Sequence, residues 1–190
     1  MRHPVGFIHG RFQVLHNDHL KYLLAGNDLC DHLIVGISNP NQNMSADEEA
    51  DPARSSQMNN PLTFDERRLM VRFTLMEAGI AAEDFSIVPF PISRPDILEN
   101  FTPPDATYYL TIYDAWGREK KKRLESFGLT THVMWEKPLS EKGITGTQVR
   151  QAIRNNGDWH AMVPPAVALK IEEWDIQKRL GESPDSSSRS

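Results

Sequence analysis

Cysteine is nearly absent: Cys30 is the only one in 190 residues. No internal disulfide is available, and nothing in the cysteine usage points to an oxidising compartment. Long apolar runs are missing too, and none approaches the roughly 20 residues a membrane-crossing helix needs. The first strand pattern begins by about Pro4, which leaves no room for an N-terminal signal peptide. A cytoplasmic chain with no membrane partner is therefore expected. Excess positive charge is also lacking. Lys and Arg number 21 against 26 Asp and Glu, a net charge of −5, which argues against a broad nucleic-acid-binding face. Zinc-type ligand patterns are absent: Cys30 stands alone, and His3, His9, His32, His132 and His160 fall in no paired motif, so no protein-held metal is expected. There is no internal repeat.

What is present is an alternation. Strand-like apolar runs at 4–9, 32–38, 85–92, 107–113 and 131–137 are separated by helical patterns, which predicts an α/β fold. Its core is a mainly parallel five-stranded sheet, doubly wound with helices on both faces. Thr63 and Glu66 form a capping box for a helix that runs to about Ala78, buries Leu69, Phe73 and Met76, and stops at Gly79. Further helices are expected over about 116–127 and from Thr147 to Asn156. A last helix behind Pro164-Pro165 carries Val167, Ile171, Trp174 and Ile176. One domain over 1–181 accounts for these elements. Residues 39–61, polar and long, are expected to form a mobile loop over the site. Residues 182–190 lack an apolar anchor and are expected to be a disordered tail.

The most informative stretch is Gly10-Arg11-Phe12-Gln13-Val14-Leu15-His16-Asn17-Asp18-His19. It joins the first strand to a helix, so it leaves the carboxyl end of that strand, where open α/β sheets place ligands. His16 and His19, three apart at a helix start, share a face beside the helix's free N–H groups, a site suited to phosphate. A helix-capping pair and a metal-binding pair are the competing readings. The run Lys120-Lys121-Lys122-Arg123 reads as a solvated helix face, with a phosphate-binding or oligomer-contact role as the alternative. Cys30 reads as a buried, inert thiol.

The Gly10–His19 segment resembles the GRFQPxHxGH signature of the nucleotidylyltransferase superfamily, especially archaeal-type nicotinamide mononucleotide adenylyltransferases. Asn60–Arg67 resembles that family's NPFTxxER helix start, Ile87–Pro91 its IIPLP strand, and Ile144–Arg150 its ISGTEVR loop. Gly157-Asp158-Trp159 with Val163-Pro164 resembles its closing GDWxxLVP, with Trp159 anchoring the last helices. The likeness covers about residues 4 to 175. It implies a Rossmann-like fold with a C-terminal helical segment, and ATP-dependent adenylyl transfer to nicotinamide or nicotinate mononucleotide, giving a dinucleotide and pyrophosphate in NAD biosynthesis. It also implies His16, His19 and Arg11 as catalytic residues. Gly10, Phe12, Gln13, Thr145, Gly146, Thr147 and Arg150 would bind ATP, with magnesium arriving on the triphosphate.

Several positions depart from the family pattern, among them the Val14-Leu15 pair that replaces the proline before the first histidine. Asp18 replaces a glycine, the Thr/Ser-Gly-Asn turn after the fourth strand reads Thr111-Ile112-Tyr113-Asp114-Ala115-Trp116, and no stacking aromatic is evident in 93–101. Asp114 and Trp116 are the acceptor-binding candidates, with Asp114 equally suited to capping the next helix and Trp116, at a helix start, more often partial core. The altered acceptor region motivates a second reading, transfer to another phosphorylated acceptor as by a cytidylyltransferase. A third is a non-catalytic nucleotide sensor. Asp18 is expected to turn away from the phosphates or meet a cation, so that glycine there keeps or raises activity. His16 and His19 are expected to stabilise charge, protonated by the neighbouring phosphates. The sequence leaves the oligomeric state open, including a homo-oligomer.

Overall fold

The computed structural model describes residues 2–39 and 60–181. The expected loop over the site, 39–61, lies outside the described residues except at 39, 60 and 61, and the expected tail, 182–190, lies outside them altogether.

Strands β1 (His3–Gly10), β2 (Cys30–Ser38), β3 (Phe85–Phe90), β4 (Thr107–Ile112) and β5 (Thr130–Glu136) form one sheet in the order β3-β2-β1-β4-β5. Every neighbouring pair is parallel. The chain winds outward from β1 through β2 to β3, then returns to β4 and β5, which places the switch of direction between β1 and β4. There the ladder pairs only Gly6 with Thr107 and Phe7 with Tyr108, so the carboxyl ends of the two strands stand unzipped. Such a switch point is where an open α/β sheet opens a ligand crevice.

Two cores cover the sheet. Ile8, Leu33, Val35 and Ile37 pack with α1 (Asn17–Asn27), α2 (Phe64–Glu77), α5 (Gly146–Arg154), α6 (Pro165–Glu173) and α7 (Ile176–Gly181). Phe7, Tyr108 and Leu110 face the other way, with Leu98 of α3 (Pro95–Leu98) and Leu124 of α4 (Ala115–Ser126). Trp159 is buried in the first core, as expected of an anchor. Cys30 is buried, and its thiol donates to the Gly26 carbonyl at 3.3 Å.

Two helical expectations need correction. The capping box of Thr63 and Glu66 forms, but α2 turns a different face inward. Met70, Val71, Thr74 and Leu75 are buried with Arg67, while Phe73 and Met76 are exposed and Leu69 is half-buried. The reason is Arg67, which is 1% exposed. Its guanidinium donates to the carbonyls of Arg11 at 3.0 Å, Ser38 at 2.8 Å and Asn39 at 2.7 Å. A charge satisfied by that many acceptors is tolerated inside, and it rotates the helix accordingly. The last helix is two helices, because Asp175 takes a positive φ of 49° and separates α6 from α7.

Candidate active site

All of the residues expected to bind or react line one cleft of about 480 Å³ over the open ends of β1 and β4. The Arg11 backbone carbonyl is held by Arg67. Gln13 is buried, and its amide donates to Leu62 O at 2.8 Å while accepting from Leu62 N at 2.9 Å. Its side chain therefore braces the loop against the start of α2. Phe12 is fully buried, with its ring edge-on to His19 at 5.0 Å.

His16 caps α1. Its Nδ1 accepts from the His19 backbone N–H at 3.4 Å, so the ring proton sits on Nε2 as a donor. The His16 and His19 rings stack with centroids 3.7 Å apart. His19 Nδ1 is sealed from solvent and has no hydrogen-bond partner among the described residues. Burial, offset a little by Asp18, lowers the His16 pKa to about 4. Burial, then the charges of His16 and Arg11, hold His19 well below its ordinary value. In the nucleotide-free protein both rings are thus neutral donors near pH 7, and a bound anion would have to raise them for the expected protonation by neighbouring phosphates.

That shift has a measurable sign. His16 titrates at about 4 when folded and near 6.5 when unfolded, so the unfolded chain binds more protons between these values. Its contribution to stability is complete above about pH 6.5 and is lost as the pH falls to about 4. His16→Asn, which keeps a capping side chain, should flatten the urea-unfolding free energy over that window by about 3 kcal/mol. Wild-type and variant curves that run parallel would contradict the buried, neutral assignment.

The cleft's positive charge comes from other residues. Arg150 is 5% exposed and donates to Gln13 O and, at 3.2 Å, to Thr147 Oγ1. Burial, then Arg11 and Arg154, lower its pKa to about 10, so it stays charged. Thr145 and Gln148 make a capping box at the start of α5. A Cβ at Gly146 would lie 2.7 Å from Gln13 O, so glycine is what lets this helix start press against the first loop. Lys120 and Lys142 line the same cleft.

Asp18 meets a cation, as expected, and its second contact points to a different outcome for glycine there. Its carboxylate accepts from Lys21 Nζ at 2.9 Å and from Ile144 N at 2.5 Å. Burial alone would raise its pKa, but Lys21 and the Ile144 N–H outweigh it and hold the carboxyl below its ordinary range. A Cβ at Gly143 would overlap the carboxylate. Asp18 therefore tethers the loop ahead of α5 to α1. Glycine at position 18 would release that loop, so Asp18→Gly is expected to raise the nucleotide KM about fivefold, the worth of one hydrogen bond. Asp18→Asn, which retains an acceptor, should stay within about twofold. An Asp18→Gly enzyme with an unchanged KM would show that the tether is idle.

Asp114 caps α4, accepting from Gly117 N at 2.9 Å, while Trp116 lines the cleft. Sequence reasoning missed His9, Tyr113, Trp135 and Lys142, which complete the walls. It read Lys120 first as a solvated face, with phosphate binding as the alternative. The signal for Lys120 was its spacing, one turn after Trp116 on the same helix face.

No family model matches the chain. It is 46% identical over 175 residues, covering 92% of its length and 94% of the relative's, to the phosphonoformate cytidylyltransferase of Streptomyces viridochromogenes. It is 28% identical over 188 residues, 95% of its length and 97% of the relative's, to the nicotinamide-nucleotide adenylyltransferase of Picrophilus torridus. Its fold matches the crystal structure of a bifunctional NMN adenylyltransferase/ADP ribose pyrophosphatase from Francisella tularensis with a TM-score of 0.68 at 14% identity. That match covers 95% of this chain and 52% of the other, so the chain spans about half the length of that structure.

Proposed function

The chain belongs to the nucleotidylyltransferase superfamily, and on that premise we propose that it transfers a cytidylyl group from CTP to a small phosphonate acceptor of the phosphonoformate type. The observation that carries this reading is the 46% identity to a phosphonoformate cytidylyltransferase, which extends over nearly the full length of both chains. The departures at Thr111–Trp116, where adenylyltransferases of the family hold their nucleotides, agree with it.

In the proposed reaction a phosphonate oxygen attacks the α-phosphorus of CTP. The new P–O bond forms as the bond from α-phosphorus to the bridging oxygen breaks, and pyrophosphate leaves with the electron pair. The attacking oxygen is already anionic, so no general base is needed. The site's task is alignment and charge neutralisation. Arg150 and the start of α5 would hold the triphosphate, and the N–H groups of His16 and His19 would donate to the reacting phosphoryl oxygens. Magnesium enters as part of the nucleotide substrate. Among the described residues, the carboxylates lining the cleft, Asp18 and Asp114, are engaged by Lys21 with Ile144 and by Gly117.

The second reading, adenylyl transfer to nicotinamide or nicotinate mononucleotide, is favoured by the motif set and by the 28% identity to the Picrophilus enzyme. Pyrophosphate release from each of the four nucleoside triphosphates separates the two, with phosphonoformate and the two mononucleotides as acceptors. CTP with phosphonoformate should exceed ATP with either mononucleotide by at least about tenfold in kcat/KM. The reverse order establishes the adenylyltransferase. No release with any pair leaves the nucleotide sensor.

A further inference from the structure

The cleft has two halves separated by β1. His16 and His19 belong to the face carrying α1. His9 lies on the opposite face, two residues from Phe7 along β1, with its ring 4.8 Å from Phe90. The chemistry derived above uses the first half and leaves His9 without a task. His9 is 7% exposed, and its Nε2 is sealed from solvent with no hydrogen-bond partner among the described residues. An orphaned imidazole nitrogen at a cleft wall is destabilising unless something else satisfies it.

Lys120 reaches the same half of the cleft from α4, one turn after Trp116. Its charge, added to burial, holds His9 well below its ordinary pKa. His9 is therefore neutral near pH 7 and has an N–H to donate. Asp114, which lines this half among the described residues, is turned to the Gly117 N–H. An ammonium, an imidazole donor and a helix start together favour an anion.

We propose that His9 and Lys120 form the subsite for the acceptor's carboxylate, and so select a small acceptor carrying a second negative group beside its phosphonate. The assignment rests on the phosphonate reading above. A carboxylate joined directly to the phosphonate carries its charge one bond from the attacking group. It can lie against His9 while the phosphonate faces the half of the cleft that holds His16 and His19. A site with buried donors discriminates strongly against an analogue lacking their partner.

The test is calorimetric binding of phosphonoformate and of methylphosphonate, which lacks the carboxylate, with a non-cleavable α,β-methylene CTP present. The proteins are wild type, His9→Leu and Lys120→Met, each checked for native circular dichroism. Phosphonoformate should bind each variant at least about tenfold more weakly than wild type, and methylphosphonate should bind all three within about threefold. Lys120 is half-buried on α4, so Lys120→Met keeps the test open if His9→Leu fails to fold. Unchanged phosphonoformate affinity in a folded variant overturns the subsite, as does absence of phosphonoformate binding to wild type. If the affinities follow the expected pattern but CTP and phosphonoformate release no pyrophosphate, the reaction assignment fails and the subsite stands.

Discussion

His19→Ala should lower kcat by at least about 100-fold while leaving nucleotide affinity within a few-fold. The ring is held from two sides, stacked on His16 at 3.7 Å and met edge-on by Phe12 at 5.0 Å. Its Nδ1 has no partner among the described residues, so the ring is held by packing while that nitrogen is unused. A preorganised donor of this kind contributes mainly when charge builds on the reacting phosphoryl group, because it needs no reorganisation at that moment. The loss should therefore fall on kcat and not on KM. His19→Asn, which restores a donor, should recover part of the rate. A His19→Ala enzyme with near-normal turnover would remove the residue from the reaction.

Arg150→Ala should act on binding as well as rate, lowering kcat/KM for the nucleotide by about 1,000-fold, with at least about tenfold of that in nucleotide affinity. A guanidinium touching the triphosphate interacts with it in both the ground state and the transition state. The same side chain donates to Gln13 O and Thr147 Oγ1, which fastens the first loop to the start of α5. Arg150→Lys keeps the charge but not the planar fork, so it should recover only part of the loss. Acceptor affinity in the Ala variant should stay within about threefold. Nucleotide affinity equal to wild type would mean that the 144–150 segment does not hold the triphosphate.

Much of the first half of the cleft was legible because its chemistry is local in sequence. His16 and His19 share one helical turn, Thr145 and Gln148 cap one helix, and a strand-loop-helix pattern fixes where the loop points. The strands were legible for a similar reason, since an apolar run between turn residues has few alternatives in a wound sheet. Arg67 was not legible. An arginine in a helix reads as surface, and the carbonyls that draw it inside belong to Arg11, Ser38 and Asn39, more than a helix away in sequence. Once it turns inward, Phe73 and Met76 must turn out. The break at Asp175 was hidden because a positive φ at a non-glycine residue has no reliable composition signal. His9 was passed over because it falls in no paired motif. The wound sheet sets β4 beside β1, and α4, which follows β4, brings Lys120 to the same cleft. Asp18 read as a departure that weakens the site, and its partner Ile144 lies 126 positions away.

The most direct measurement is phosphorus NMR of the products formed from CTP, magnesium and phosphonoformate by the wild-type protein. The expected spectrum shows pyrophosphate together with a coupled pair of resonances, one from the cytidylyl phosphorus and one from the phosphonate joined to it through oxygen. Both should appear at equal rates and only when acceptor is present. Pyrophosphate with free CMP and unchanged phosphonoformate would mean that water, not the acceptor, is attacking. A spectrum in which CTP and phosphonoformate persist unchanged, while ATP and nicotinamide mononucleotide are consumed, would contradict the assignment.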